Sequence, residues 1–222
     1  MAFSTEEEET LESLKRWWKE SGNSLLIGVI VFAVGYLGWM QWERMQTSKA
    51  AAASDLYEQL GVTVVLGPGV ELTDDALAAA KGLIAQLKTS YPDSAYALYG
   101  ALFGARLAVD DRDLDTAEAE LRWLLDNART GFFAPTDESL LITARLRLAR
   151  VLLAKDQAQQ ALDLLSSFTP GQFQAQYAEV RGDAFHALGR MPEAQASYEE
   201  AREAGSTSDT LQMKLDDIAL ES

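Results

Sequence analysis

The feature that most constrains this chain is an uncharged, apolar segment that runs from Ser21 to Trp42. At the rise of an α-helix, its 22 residues are long enough to cross a hydrocarbon core of about 30 Å. Tryptophans precede the segment at positions 17 and 18 and close it at positions 39 and 42. Indole rings prefer the headgroup level of a bilayer. The sequence therefore predicts a transmembrane helix over residues 21–42.

Two other interpretations of this segment are weaker. A secretory signal peptide has a basic start and a cleavage site of small residues after a shorter apolar run. This chain instead starts with an acidic run, Glu6 to Glu9, and its apolar segment ends in Trp39-Met-Gln-Trp42. A buried helix of a soluble protein has an apolar stripe and not a wholly apolar circumference.

The basic residues near the segment predict its orientation. Lys15, Arg16 and Lys19 precede it, and Arg44 and Lys49 follow it. Because Lys and Arg near a span favour the cytoplasmic side, residues 1–20, an acidic and amphipathic tail, are predicted to be cytoplasmic. In a bacterium with two membranes, the chain would cross the inner membrane once and place residues 47–222 in the periplasm.

Small residues recur along the predicted span. Ser21, Gly28 and Gly35 are seven residues apart, and Ser24 lies nearby. Such a ridge allows a second helix to approach closely. Gly is also common in membrane helices without such a role. These four residues are candidate helix contacts, and the ordinary abundance of Gly is an equal alternative.

From residue 47 onwards, apolar residues recur at three- and four-residue spacing among Ala, Leu, Gln and Glu, which predicts helices. Within residues 175–201, Gly182, Ala194, Tyr198 and Ala201 fall at packing positions of a tetratricopeptide repeat. Related sets occur upstream, so four degenerate helix pairs are predicted. The upstream sets are Ala80, Ile84 and Leu87; Ala117, Leu121 and Leu124; and Ala161, Leu165 and Phe168.

Three further stretches complete the predicted architecture. Residues 61–69 could pass for a strand but are predicted to be a helix end that runs into a Gly-Pro-Gly loop, with Thr73 capping the next helix, and residues 131–136 are predicted to form an insertion between repeats. An amphipathic helix from Asp209 to Leu220 is predicted to cover the exposed end of the stack. The predicted fold class is all-α: one N-terminal transmembrane helix, then a tetratricopeptide-like solenoid with a C-terminal capping helix.

Composition excludes several classes of function. With 34 acidic against 19 basic residues and a net charge of -15, the chain would be repelled by nucleic acid phosphates. It has no Cys and a single His, His186, so Cys-based and multi-His metal sites lack ligands. No cofactor, small-molecule substrate or enzymatic activity is predicted. The composition indicates a protein that binds other proteins.

A polypeptide-binding groove is predicted on the concave face, if the first helix of each pair lines it. Apolar residues that face solvent need a partner, and an extended or helical polypeptide segment would supply one. The insertion or the capping helix could equally fold over them. The candidate residues are Tyr99, Leu102, Arg106, Val109, Leu146, Arg150, Leu153, Glu179, Asp183 and His186.

Four stretches together resemble a known family over nearly the whole chain. They are Glu12-Ser-Leu-Lys-Arg-Trp-Trp-Lys-Glu-Ser-Gly22, Gly38-Trp-x-x-Trp42, Arg145-Leu-Arg-Leu-Ala-Arg-Val151 and Leu211-Gln-Met-Lys-Leu215. With the acidic tail and the degenerate repeats, they resemble the YfgM family of ancillary SecYEG translocon subunits. The loop at residues 61–72 is longer and more apolar than expected for that family.

The resemblance implies a single-pass inner-membrane protein with a cytoplasmic N-terminus and a periplasmic tetratricopeptide-like domain. Its implied partners are the SecYEG channel, a membrane-anchored chaperone of the PpiD type and exported polypeptides, whose transfer it would assist. The alternative is an envelope scaffold or regulator that binds one dedicated protein through the same solenoid. A membrane-tethered enzyme is disfavoured because the chain offers only carboxylates, Lys and hydroxyls for catalysis.

Overall fold

A computed structural model describes the chain over residues 5–64, 72–129 and 136–221. These ranges hold helices and no strand, which confirms the predicted all-α fold. The chain divides into two compact units, Met1–Ala52 and Ala53–Ser222. The helices are α1 (Thr5–Val64), α2 (Asp74–Ser90), α3 (Ala95–Asp110), α4 (Leu114–Asn127), α5 (Glu138–Ala154), α6 (Ala158–Ser166), α7 (Gln174–Ala187), α8 (Met191–Glu203) and α9 (Asp209–Glu221), with a short 3-10 turn at Gly171–Phe173.

The first unit consists of the N-terminal part of α1. Of the helices within the described ranges, α1 alone is long and apolar enough to cross a membrane, and its apolar stretch is not buried. Phe32 is 75% exposed and Val31 is 66% exposed. Large apolar side chains with this exposure are stable in hydrocarbon and costly in water.

Helix α1 extends beyond the predicted span at both ends. It begins at Thr5, inside the predicted tail, and continues without a break to Val64. Residues 61–64 are therefore helical, as expected for a helix end that runs into the loop. Residues 65–71, which make up most of that loop, lie outside the described residues.

The second unit contains the four predicted helix pairs: the end of α1 from Ala53 with α2, then α3 with α4, α5 with α6, and α7 with α8. One alanine in the second helix of each pair has no exposed surface. A side chain of this size lets two helix backbones approach closely. These alanines are the ones that the repeat pattern singled out: Ala80, Ala117, Ala161 and Ala194.

The turns inside the pairs also repeat. Arg112, Asp156 and Gly189 have φ values of 60°, 59° and 71°, and each stands five residues before the buried alanine of its pair. In each turn the next residue donates its backbone N–H to a carbonyl five residues back, as in Asp113 to Ala108 at 2.8 Å. This left-handed turn ends one helix and reverses the chain. Two of the three positions are not glycine, so the sequence did not reveal this part of the repeat.

The capping helix α9 and the segment after α6 both pack against the helix pairs next to them. Helix α9 buries Leu211 and Ile218 against α7 and α8, which confirms the predicted capping helix. Phe168 is a correction to the predicted repeat, because α6 ends at Ser166, before it. Phe168 instead packs edge-on against Tyr177, with ring centroids 5.7 Å apart.

Candidate protein-binding site

The structure brings three of the predicted groove residues together at one cavity in the second unit. The cavity has a volume of about 390 Å³ and lies between α3, α4 and α5. Arg106 and Val109 reach it from α3, and Arg150 reaches it from α5. Its other lining residues are Ala105, Leu114, Leu121, Arg147, Val151 and Ala154.

The ends of α3 and α4 set the geometry of this cavity. Asp111 and Arg112 end α3, and the Asp113 carboxylate accepts the Thr116 N–H at 3.0 Å to cap α4. The resulting tight turn joins the end of α3 to the start of α4, so Val109 and Leu114 both line the cavity. Leu121, about two turns further along α4 and 1% exposed, supplies the apolar floor.

Positive charge gathers at the rim of the cavity. Arg147 and Arg150 are three residues apart on α5 and share a helix face. Burial, together with the like charges of Arg106 and Arg150, lowers the pKa of the Arg147 guanidinium below its usual value. Within the described part of the chain, Arg106 meets an exposed carboxylate of Asp110 at 3.7 Å, a geometry that water screens strongly.

Sequence analysis missed Arg147, although a signal for it was present. The pattern Arg145-Leu-Arg-Leu-Ala-Arg150 places two arginines at i and i+3 on α5. Arg145 turns away from them, and its guanidinium lies 5.2 Å from the centre of the Phe168 ring. Only packing against neighbouring helices shows which of the three arginines share a surface.

Three other predicted groove residues are partly or fully buried in the hydrophobic core. Leu146 is 3% exposed and belongs to the main hydrophobic cluster, so it is a core residue and not a groove residue. Leu102 and Leu153 are partly buried against the same cluster. Their side chains point into the layer between helices because the first helices of the pairs are packed on more than one side.

Tyr99 lies in the first half of α3, whereas the second half of that helix lines the cavity. It is 39% exposed, and its ring centroid is 6.3 Å from that of Tyr57. Tyr57 also contacts the ring of Tyr96 at 5.6 Å. Tyr99 therefore belongs to an aromatic group with the end of α1 and not to the arginine-lined cavity.

Helix α9 covers two of the acidic candidates. The Lys214 ammonium donates to Glu179 at 2.9 Å and to Asp183 at 3.0 Å, and Ser208 also donates to Glu179 at 3.0 Å. Here the capping helix folds over the predicted face, which was one of the two explanations that the sequence left open. His186 is exposed in the last turn of α7.

The Lys214 contacts shift the pKa values of both partners. Burial alone would raise the pKa of Glu179 and lower that of Lys214. The hydrogen bonds and opposite charges outweigh burial, so the pKa of Glu179 lies below its ordinary value of 4.5 and that of Lys214 lies above its ordinary value. The ionised pair therefore holds α9 on α7 near neutral pH.

Acid is expected to weaken this attachment. Because the folded-state pKa of Glu179 is lowered, its contribution to stability is present above the unfolded pKa and is lost as the pH falls below 4.5. Lys214→Met should lower the free energy of unfolding at neutral pH by about 2 kcal/mol and flatten its decline in acid. Denaturant titrations over a pH series measure both effects.

Lys81→Met is the matched control, because the ion pair of Lys81 with Asp111 is about half exposed. It should change the free energy of unfolding by less than about 0.5 kcal/mol. An equal effect of the two substitutions at all pH values would contradict a specific role for Lys214.

Within the residues that the structure describes, no three His, Asp or Glu side chains gather closely enough to hold a metal ion.

In the first unit, Gly28 and Gly35 lie on one side of α1, and a Cβ atom at either position would meet nothing within 4 Å. Ser21 and Ser24 are in the same helix. This side of α1 is open to a neighbouring helix.

Comparison with known proteins finds relatives that match nearly the whole chain. Residues 15–220 match a family described as a tetratricopeptide repeat-like domain. Over 206 residues the chain is 31% identical to the ancillary SecYEG translocon subunit of Haemophilus influenzae, with 93% of each chain covered. The chain belongs to the family of ancillary SecYEG translocon subunits.

Other members of this ancillary subunit family are similar over the same extent. The chain is 30% identical over 220 residues to the Escherichia coli member, which covers 96% of this chain and 97% of that protein. It is 29% identical over 223 residues to the Neisseria gonorrhoeae member, which covers 98% and 100%. The predicted family is thus confirmed, and no solved structure matches the chain.

Proposed function

We propose that this protein is a non-enzymatic, membrane-anchored subunit that associates with the SecYEG translocon and binds polypeptides through its repeat unit. One observation carries the proposal. Similarity to proteins named ancillary SecYEG translocon subunits extends over more than nine-tenths of the chain, from the apolar helix through the repeats. These relatives therefore share both the apolar helix and the repeat unit with this chain, and not only a common repeat fold.

The anchor is proposed to contact the translocon within the membrane. Gly28 and Gly35 leave one side of α1 without bulk, and small residues allow a membrane helix to approach a partner closely. Their apolar surroundings supply no charge that would pull this side towards water. Lateral helix packing is the contact that this surface supports.

The repeat unit is proposed to lie on the periplasmic side of the bacterial inner membrane, with the N-terminus in the cytoplasm. The excess of Lys and Arg before the span supports this orientation. The chain has no Cys, so a single Cys introduced at the exposed Gln160 is a unique label. It should react with a membrane-impermeant maleimide added to cells whose outer membrane is permeabilised, and protection until lysis would reverse the orientation.

The proposed partners of the repeat unit are exported polypeptides and a membrane-anchored chaperone of the PpiD type. Helical repeats bind protein segments on surfaces that neighbouring helices build together. The arginine-lined cavity between α3, α4 and α5 is the surface best suited to this role, because it combines exposed Val109 with uncovered guanidinium groups. Assistance to polypeptides that leave the channel follows from binding them beside it.

Photo-crosslinking in cells tests the proposal. Photoreactive residues placed at Gly35 and at Val109, in separate strains, report on the anchor and on the cavity. Mass spectrometry should recover SecYEG subunits from Gly35, and exported polypeptides or a periplasmic chaperone from Val109. A probe at the exposed Gln160 on α6 is the control for random collisions.

The same experiment separates the proposal from its alternative. One dedicated protein recovered from both positions, with no channel subunit, would indicate an envelope scaffold or regulator.

Gly35→Leu provides a second readout, because it should leave membrane insertion intact and reduce co-purification of SecYEG. Ala33→Leu adds similar bulk on the opposite side of α1 and should leave co-purification unchanged. Equal co-purification with both variants would remove Gly35 from the contact.

A further inference from the structure

The arginines at the cavity are unusual for this chain. The protein carries a net charge of -15, yet Arg106, Arg147 and Arg150 converge on one cavity from two helices. Like charges repel each other, so their grouping is costly unless an anion binds among them. Among the described residues, no carboxylate forms an ion pair with Arg147, Arg106 meets the exposed Asp110 at 3.7 Å, and the charge of Arg150 acts on Glu179, which already pairs with Lys214.

The surroundings of the arginines are apolar. The floor and walls of the cavity come from Val109, Leu114, Leu121 and Val151. Val109 is 44% exposed, although it is a large apolar side chain at the end of a packed helix. The volume of about 390 Å³ is sufficient for one or two bulky side chains.

The two properties together define the ligand chemistry. Planar guanidinium groups bind carboxylates with paired, charge-assisted hydrogen bonds. An apolar floor favours a Leu or Phe side chain next to those carboxylates. A polar acidic segment would leave the floor wet, and a purely apolar segment would leave Arg147 without a carboxylate partner.

We propose that the cavity between α3, α4 and α5 binds a polypeptide segment in which acidic residues alternate with bulky apolar ones, with Arg147 and Arg150 holding the carboxylates. This inference deepens the proposed function by naming the kind of segment that the repeat unit selects. It also assigns Arg106 to the rim, where its partial pairing with Asp110 makes it the weakest of the three contacts.

Peptide binding to the full chain in phosphatidylcholine nanodiscs tests the assignment. The probe is a rhodamine-labelled peptide, GSLDLEFSG, read by fluorescence anisotropy. The amide peptide GSLNLQFSG and the polar peptide GSSDSESSG should each bind at least about tenfold more weakly. Arg147→Gln and Arg150→Gln should each weaken binding of the first peptide by about tenfold or more.

Two further variants separate charge at the site from charge in general. Arg202→Gln removes an exposed positive charge from α8 and should leave binding unchanged. Ala154→Phe narrows the rim of the cavity without changing charge and should weaken binding. Unaltered thermal unfolding of each variant shows that the fold is preserved, which is expected because Arg147, Arg150 and Ala154 are exposed.

Equal binding of the acidic and amide peptides, or unchanged binding in Arg147→Gln, would overturn the proposal. If Arg147→Gln weakened binding to phosphatidylglycerol vesicles but not to the peptide, the arginines would belong to a lipid-facing surface and the proposal would be wrong. These measurements use purified protein without SecYEG. Failure of co-purification with SecYEG alone would therefore refute the proposed function and leave the peptide result intact.

Discussion

Gly182→Ala is expected to lower the free energy of unfolding by about 3 kcal/mol, at the upper end of the cost of overpacking a core. A Cβ atom at position 182 would lie closer to two ring carbons of Tyr198 than real Cβ atoms ever come to a neighbouring atom. The glycine on α7 faces the tyrosine on α8, so the two helices of the fourth pair approach closely at this point. Denaturant titration of the full chain in detergent, followed by circular dichroism, measures the change.

The Tyr198 ring cannot move aside cheaply. It is 2% exposed, and its hydroxyl donates to Asp183 at 2.8 Å. Burial, together with the negative charges of Asp183 and Glu179, raises the pKa of Tyr198, so the phenol keeps its proton and remains a donor. The Lys214 ammonium lies 5.6 Å from the centre of the ring and adds a further contact.

Gly82→Ala is the matched control for this substitution. Position 82 is in the interior of α2, where a Cβ atom would meet nothing within 4 Å. Alanine is the better helix former, so the free energy of unfolding should rise by about 0.5–1 kcal/mol. The same change of residue is thus expected to act in opposite directions at the two sites, and a similar effect at both would show that Tyr198 does not confine position 182.

Leu146→Asp is expected to unfold the repeat unit or to lower its free energy of unfolding by about 4 kcal/mol or more. Leu146 is 3% exposed in the main hydrophobic cluster, so the substitution removes buried apolar surface and places a carboxylate where it has no partner. The measurement is the midpoint of denaturant unfolding, with limited proteolysis as a second probe of the folded fraction.

Val109→Asp is the counterpart on the cavity. Val109 is 44% exposed and lies near Arg106 and Arg150, so an aspartate there remains in contact with water and with positive charge. Its free energy of unfolding should change by less than about 1 kcal/mol, while binding of an acidic peptide should fall. A stable, folded Leu146→Asp variant with reduced polypeptide binding would instead return Leu146 to the binding surface.

Much of the fold could be predicted because its determinants are local. The exposed apolar helix follows from an uncharged run long enough to span a bilayer. The helix pairs follow from buried alanines at repeated spacing, and α9 follows from an apolar face with Leu211 and Ile218. Side chains at three- and four-residue spacing share one face of a helix wherever that helix is placed, so the sequence alone determines these elements.

The candidate site could be predicted only in part, because burial depends on which distant helices meet. Spacing placed Leu146 and Arg150 on the same predicted face, yet Leu146 is in the core and Arg150 lines the cavity. Lys214 reaches Glu179 from a helix some 35 residues further along the chain. Arg106 and Arg147 come from different helix pairs and meet at one cavity.

The sequence by itself determined an apolar helix long enough to cross a membrane, a set of helix pairs with small residues at their crossings, and a resemblance that comparison over nearly the whole chain confirmed. The tertiary structure alone decided which side chains of those helices remain available to a partner. Periodicity fixes the direction of a side chain relative to its own helix axis, whereas the packing of neighbouring helices determines whether water, apolar side chains or an opposite charge lies in that direction.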